Sequence, residues 1–386
     1  MSIEKTLSCD LGGRRLTIEV NKLAKSADGS ALVTYGDTVI LVTTTVNKEG
    51  GNFDYFPLMV DYRDKYYAAG RFPGGFIKRE GAPRPGEILS ARLIDRSIRP
   101  LFDPDIRNDL YVYATVLAID EKNDPDILGI IGASSCLMAG SFPFDNGPVA
   151  ACRIGKIGEG FIINPTFEER KEGKFDLVIA GCKDKITMIE AGCKIVPEDE
   201  VLEAIKFGKG YIESLIELQQ EIEEKEKIVP IKEISNEEIG QKIKDLFYDK
   251  LKEVYSLPNK DEVIKEIWNE IELLEEGTKK EKKYFFEKIN KEIIRKRMFT
   301  EGIREDGRRL DEIREITCEV SVLKRTHGSS LFTRGKTQAM AITTLGTTED
   351  EQIMDEIEGK WFKKFMLHYN FPPYSTGEAK QMKALG

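Results

Sequence analysis

The chain has 386 residues, 40% of them apolar and 32% charged, with a formal net charge of −9. That length suits two or three domains, and the apolar share excludes a disordered chain that cannot build a core. An acidic body also excludes a protein that coats nucleic acid over its whole surface, so any nucleic-acid site must be a local basic patch.

The opening MSIEKTLSCDLGG carries no apolar signal core, and Cys9, Cys136, Cys152, Cys182, Cys193 and Cys318 are scattered with no C-x-x-C pair. Zinc needs ligand pairs on a short turn, and isolated thiols suit a reducing cytoplasm, which is the expected location. Next come residues 31–33 and 39–45, rich in β-branched side chains and read as strands joined by the turn Tyr35-Gly36-Asp37. Helices are predicted over 87–99, 126–140 and 198–226, and a second hairpin over 176–181 and 185–190. The stretch Ile127 to Gly140 is the best membrane candidate, but it is too short to span and reads as a buried helix. Strands and helices mixed in this way predict an α+β fold.

The texture changes after Pro230. From Ser235 to about Thr300, Glu and Lys are dense, and apolar residues recur at helical spacing, as in Ile239, Ile243, Leu246 and Phe247. This predicts a small helical domain with a break at Leu257-Pro258-Asn259, its charges read as a solvated face laced with i,i+4 pairs. From Arg304 the strand texture returns. Asp28-Gly-Ser-Ala-Leu-Val-Thr-Tyr-Gly-Asp-Thr38 aligns without gaps on His327-Gly-Ser-Ser-Leu-Phe-Thr-Arg-Gly-Lys-Thr337, an offset of 299 residues between Gly29 and Gly328. Two unrelated hairpins would not repeat such a string in register, so a duplicated domain is expected. The expected domains are 1–230, 231–303 and 304–386, the last an incomplete second copy, since only about eighty residues follow Arg304. The chain is therefore expected to be a fragment.

The densest chemistry lies between Arg71 and Arg99, where seven Lys or Arg face three acids in an otherwise acidic chain. Gly and Pro make its first half a loop able to present Phe76 with Lys78 and Arg79, an aromatic to stack on a base beside cations for phosphates. On the helix that follows, Arg92, Arg96 and Arg99 share one stripe at i, i+4 and i+7, with Asp95 in reach of Arg92 or Arg99. The rest of that helix is apolar and predicts a largely buried element with a narrow basic seam. The residues leave two readings open here, a salt-bridged helix that holds the fold or an assembly interface, and an RNA or phosphate contact. No G-x-x-x-x-G-K-[ST] loop occurs, and neither His327 nor His368 has a Ser or Cys partner at an elbow, so a P-loop and a nucleophilic triad are disfavoured. His327, opening the repeated turn, reads as structural. Asp120, Asp124 and Asp126 raise a metal site, but their place before a helix favours capping.

Several strings resemble the polynucleotide phosphorylase family of bacteria. They are Tyr67-Ala-Ala-Gly-Arg71, Gly75-Phe-Ile-Lys-Arg-Glu-Gly81, Arg92-Leu-Ile-Asp-Arg-Ser-Ile-Arg-Pro-Leu-Phe102, Asn123-Asp-Pro-Asp126 with Gly132-Ala-Ser134, and Asp176-Leu-Val-Ile-Ala-Gly181. Later come Arg325-Thr-His-Gly-Ser-Ser-Leu-Phe-Thr-Arg-Gly-Lys-Thr-Gln338 and His368-Tyr-Asn-Phe-Pro-Pro-Tyr-Ser375, so the likeness covers essentially the whole chain. The resemblance implies two ribonuclease-PH-like domains flanking a helical domain, with three chains in a ring around an RNA channel. It implies that the loop at the channel neck, here Phe76, Lys78 and Arg79, grips RNA, with Arg92, Arg96 and Arg99 as the next candidates. The family usually has an aromatic where Ile77 stands and an Arg where Ala82 stands, and Arg84 is a candidate to compensate.

The implied reaction is attack of inorganic phosphate on the terminal phosphodiester of single-stranded RNA. It proceeds 3′ to 5′, releases nucleoside diphosphates, uses Mg²⁺ and needs no covalent nucleophile. The resemblance puts catalytic residues and metal ligands beyond Gly386, so none is assigned here, and it adds RNA-degradation assembly partners and no membrane. Two rivals are a non-catalytic RNA-binding or ring-assembly fragment and a hydrolytic exosome-like core subunit.

Overall fold

The computed structural model describes residues 4–50, 55–73, 78–222, 226–231, 237–257, 259–357 and 359–381. The chain divides into two compact units, Met1–Glu233 with Asp355–Gly359, and Ile234–Met354 with Lys360–Gly386.

The first unit opens with four antiparallel strands, β1 (Lys5–Leu11), β2 (Arg14–Val20), β3 (Gly29–Tyr35) and β4 (Thr38–Val46). Their period-two patterns bury Leu16, Ile18, Ala31, Val33, Tyr35, Ile40 and Val42 on one face. β5 (Leu58–Asp64), helix α1 (Pro85–Ile98) and β6 (Leu110–Ala118) follow, and β6 joins the edge of β4. β5 and β6 run parallel, which requires a crossover, and α1 supplies it, giving the order β1-β2-β3-β4-β6-β5.

Helix α2 (Pro125–Ala139) lies on β3 and β4 with every residue buried, as expected of a helix apolar all round. Close approach depends on Gly132, where a Cβ would sit 2.5 Å from Val42 Cγ2. The helix predicted over 126–140 is therefore present, shifted by one residue at each end. No helix among the described residues is long and apolar enough to cross a membrane.

A second, antiparallel sheet has the order β10-β9-β7-β8, built from β7 (Ala150–Ile157), β8 (Gly160–Ile163), β9 (Phe175–Cys182) and β10 (Lys185–Cys193), with a short helix α3 (Phe167–Glu172) between β8 and β9. Helix α4 (Glu198–Gln220) packs on β7 and β9 through Ala204, Gly208, Ile212 and Leu215. α4 stops six residues short of the predicted 226. Ile222 is buried, and Ile228 N–H donates to Ser141 O at 2.8 Å. The mixture is α+β, as the sequence predicts.

In the second unit, α5 (Glu237–Val254), α6 (Lys260–Glu272) and α7 (Lys279–Glu301) close around Ile243, Phe247, Leu251, Ile271, Phe285 and Ile289. The strands β11 (Ile316–Val320), β12 (Gly328–Arg334) and β13 (Thr337–Thr343) form a sheet.

The repeated string folds the same way twice. In β3–β4 the register pairs Gly29 with Thr44 and Tyr35 with Thr38; in β12–β13 it pairs Gly328 with Thr343 and Arg334 with Thr337. The turn glycines Gly36 and Gly335 both take left-handed φ, +61° and +59°. The likeness extends to the preceding strand, since Asn21 and Ser321 both have φ of 59° and donate to Ser30 O and Ser329 O. The surroundings differ. A Cβ on Gly29 would lie 2.1 Å from Cys136 O of α2, whereas one on Gly328 would meet Thr343 Cβ at 3.4 Å.

Candidate nucleic-acid interface

The basic segment is organised by the start of α1. Pro85 suits the first turn, and the buried Glu87 carboxylate accepts the backbone N–H of Arg84 at 2.7 Å and of Asp64 at 2.9 Å, which fixes the helix end to β5. Arg84 folds over the same point, 3.2 Å from Asp64 and with its guanidinium 5.1 Å from the Tyr66 ring centroid. It is committed to the fold, which argues against its standing in for the Arg absent at Ala82.

Along α1, Leu93, Ile94, Ser97 and Ile98 face inward. Ile88 and Leu89 are 49% and 57% exposed, so the helix is half-covered rather than largely buried as predicted. Packing on β5 and α2 covers only one side of it. The three arginines lie along its exposed edge with different commitments. Arg99 holds Asp95 through three bonds of 2.6, 2.9 and 3.1 Å and donates to Leu58 O at 2.9 Å and Phe56 O at 3.3 Å. Arg96 reaches Glu190 at 2.6 Å and Ile189 O at 3.1 Å, tying α1 to β10. Arg92 is exposed and has no partner among the described residues. Lys78 and Arg79 are likewise exposed and unpartnered among those residues, beside the Lys65–Glu80 pair. Phe76 and Ile77 lie outside the described residues.

A second charged group was missed in the sequence. Arg153 on β7 is buried and reaches Asp126 at 2.5 Å, Asp176 at 2.7 Å and Asp124 at 3.3 Å. Arg170 on α3 reaches Asp124 at 2.5 Å and Asp176 at 2.8 Å. Asp124 also caps α2 by accepting Asp126 N–H, as the capping reading expects, whereas Asp120 accepts the N–H groups of Lys122 and Asn123 and so closes the loop before the helix rather than capping it.

Asp126 does not cap. Three carboxylates share two guanidinium groups, and one of them carries an excess buried charge. Asp124, between both arginines, is held below its ordinary pKa against the cost of its own burial. Burial first, and the neighbouring Asp124 second, push Asp126 up to about 7. Its Oδ1 and the Arg153 Nε have no hydrogen-bond partner among the described residues. The adjoining cavity, lined by Tyr35, Asn123, Arg153 and Asn164, is about 10 Å³, room for one water and no substrate. The signal was Arg153 inside the apolar run 149–154, a charge that must find buried partners.

The three carboxylates do not fit Mg²⁺, because each is already paired with a guanidinium group and only Asp126 Oδ1 is left without a partner among the described residues. No group of three His, Cys, Asp or Glu side chains among the described residues is placed to hold a metal ion. His327 acts as a structural residue, its Nδ1 accepting Leu345 N–H at 2.9 Å.

Comparison with known proteins gives matches in the same order as these elements. The model for the 3′ exoribonuclease family, domain 1, matches residues 12–143 and again 312–384, and domain 2 of that family matches 147–211. Residues 238–309 match the model described as polyribonucleotide nucleotidyltransferase, RNA binding domain. Among curated relatives, the polyribonucleotide nucleotidyltransferase of Heliobacterium modesticaldum is 44% identical over 394 residues, covering 99% of this chain and 55% of the relative. That of Moorella thermoacetica is 45% identical over 412 residues, with 100% and 55% covered. That of Geobacillus kaustophilus is 42% identical over 395 residues, with 99% and 54% covered. The chain spans about half the length of the curated relatives it matches.

Proposed function

Because this chain belongs to the 3′ exoribonuclease family, as a polyribonucleotide nucleotidyltransferase sequence, we propose that the protein degrades single-stranded RNA from the 3′ end by phosphorolysis. Inorganic phosphate attacks the terminal phosphodiester and a nucleoside diphosphate leaves. The observation that carries this reading is the order of the matches, domain 1, domain 2, RNA binding domain and domain 1 again, along one chain. Catalytic residues and Mg²⁺ ligands are not assigned to residues of this chain. The proposed setting is a cytoplasmic homotrimeric ring with RNA-degradation partners, and the proposed domains are 1–230, 231–303 and 304–386.

In this reading the RNA contact of the first domain is made by Lys78 and Arg79 with Phe76, and by Arg92. Support comes from three cations, two in the loop before α1 and one midway along it, left without partners among the described residues in a chain of net charge −9. Arg96 and Arg99 remain candidates, but their bonds to Glu190 and Asp95 favour a role in holding α1.

Incubation with poly(A), phosphate and Mg²⁺ tests the activity, and ADP that forms only with phosphate is expected. AMP without phosphate would point to the hydrolytic reading. Binding without turnover would point to an RNA-binding or ring-assembly role. For the loop, Lys78→Ala with Arg79→Ala should weaken RNA binding and flatten its salt dependence, and an unchanged slope would remove the loop from the site.

A further inference from the structure

Residues 65–84 connect β5 to α1. A connection of that length is uncommon in a compact domain and is usually functional. Its two ends are tied together. The Glu87 carboxylate accepts the backbone N–H of Asp64 from one end and of Arg84 from the other, and Arg84 turns back onto Asp64 and the Tyr66 ring. Further along, Lys65 Nζ reaches across to Glu80 at 2.5 Å. The charges of this connection are thereby sorted. Asp64, Glu80 and Glu87 are engaged by Lys65 and Arg84, whereas Lys78 and Arg79, next to Glu80 in the chain, have no partner among the described residues.

Proximity along the chain would sort them differently. Elsewhere in this protein a cation takes the acid two residues away, as in Asp61–Arg63, Asp306–Arg308, Arg309–Asp311 and Glu378–Lys380, at 2.8–3.2 Å. Lys78 and Glu80 have that same spacing, and both are exposed. Glu80 instead pairs with Lys65, fifteen residues back and half-buried. A carboxylate on Lys78 would neutralise one of the two cations and compete with phosphate for it.

We propose that Lys65 is a positioning residue for RNA binding, holding Glu80 so that Lys78 and Arg79 stay open to phosphate, while Glu87 anchors the base from which they project. The inference rests on the RNA reading of this loop given above and adds what keeps the loop competent. A loop fixed before it meets its ligand loses less freedom on binding, so the anchor contributes affinity without touching RNA.

The test is fluorescence anisotropy of a labelled oligoadenylate with the whole chain, as salt is raised from about 50 to about 200 mM. Lys65→Met should release Glu80 onto Lys78 and lower the slope of log affinity against log salt by about 0.7, one phosphate contact on a single strand. Adding Glu80→Gln removes the competing charge, so Lys65→Met/Glu80→Gln should recover the wild-type slope. Lys65→Arg, which keeps the pair, should match the wild type in slope and affinity. Glu87→Gln should weaken binding by about 10-fold with the slope unchanged, because the same cations meet phosphate from a looser base. An unchanged slope in Lys65→Met overturns the proposal. So does a slope that stays low in the double variant, which would mean that Lys65 itself contacts RNA. Wild-type affinity in a folded Glu87→Gln overturns the part given to Glu87, and if that variant loses helix content the Lys65 variants decide alone. Lys78→Ala/Arg79→Ala run in parallel separates this proposal from its premise. A flattened slope there with none in Lys65→Met sinks the positioning role alone, and an unchanged slope there sinks both.

Discussion

The buried cluster around Arg153 makes stability depend on pH through one carboxyl group, and Asp126→Asn exposes that dependence. A free Asp titrates near ~3.9, whereas burial and Asp124 lift Asp126 to about 7. Between those values the folded chain keeps a proton that the unfolded chain has lost. The stabilisation from this group is fully present below about pH 4, declines as pH rises, and is gone above about 7. Three pH units at about 1.4 kcal/mol each set an upper bound of about 4 kcal/mol. Asp124, held low, works in the opposite direction and loses its contribution only as pH falls below the ordinary carboxylate range.

Asparagine keeps the shape, accepts from Arg153 through its oxygen, and can donate to Asp124 as the protonated acid does. It should therefore gain on the wild type as pH rises from 5 to 7, by up to about 3 kcal/mol, and hold that gain to pH 8. Amide exchange protection of α2, compared between the two proteins at each pH, reads the difference without interference from the intrinsic pH dependence of exchange. A difference that stays flat between pH 5 and pH 8 would refute the reasoning, because it would mean that Asp126 is charged in the folded chain throughout.

The arginines of α1 should separate by experiment. Arg99→Ala removes the tie to Phe56 O and Leu58 O and should cost about 1 kcal/mol, since the group is partly exposed, with the salt slope of RNA binding unchanged. Arg92→Ala should do the reverse, lowering the slope by about 0.7 with the urea midpoint unmoved. Burial lifts the Cys136 and Cys152 thiols to about 12, while Cys193 and Cys318 are exposed. Iodoacetamide at pH 8 should therefore label the exposed pair and spare the buried one until the chain is unfolded, as read by peptide mass spectrometry. Labelling of Cys136 as fast as Cys193 would contradict the packing of α2.

Much of the architecture was legible because local rules suffice for it. The hairpin around Gly36 needs only two β-branched runs and a residue free to take positive φ, and the same letters around Gly335 repeat it. α1 and α2 announce themselves by their apolar runs. What escaped depends on distance in the chain. Asp124 and Asp126 suit a cap when read locally, and only the approach of β7 and α3 brings Arg153 and Arg170 to them. Periodicity marks Ile88 and Leu89 as apolar, but it cannot say that the sheet ends before covering them. The Arg92, Arg96 and Arg99 stripe was visible as spacing, whereas the division of labour along it depends on Glu190 and on the carbonyls of Phe56 and Leu58.

Gly29 and Gly328 are the same letter at the same place in one motif, yet different forces hold them. Crowding by the Cys136 carbonyl forbids any side chain at Gly29. At Gly328 the neighbouring Thr343 would admit an alanine. A gene that carries one motif twice can thus tolerate drift in one copy and not in the other, and a shared residue is no guide to which copy is constrained.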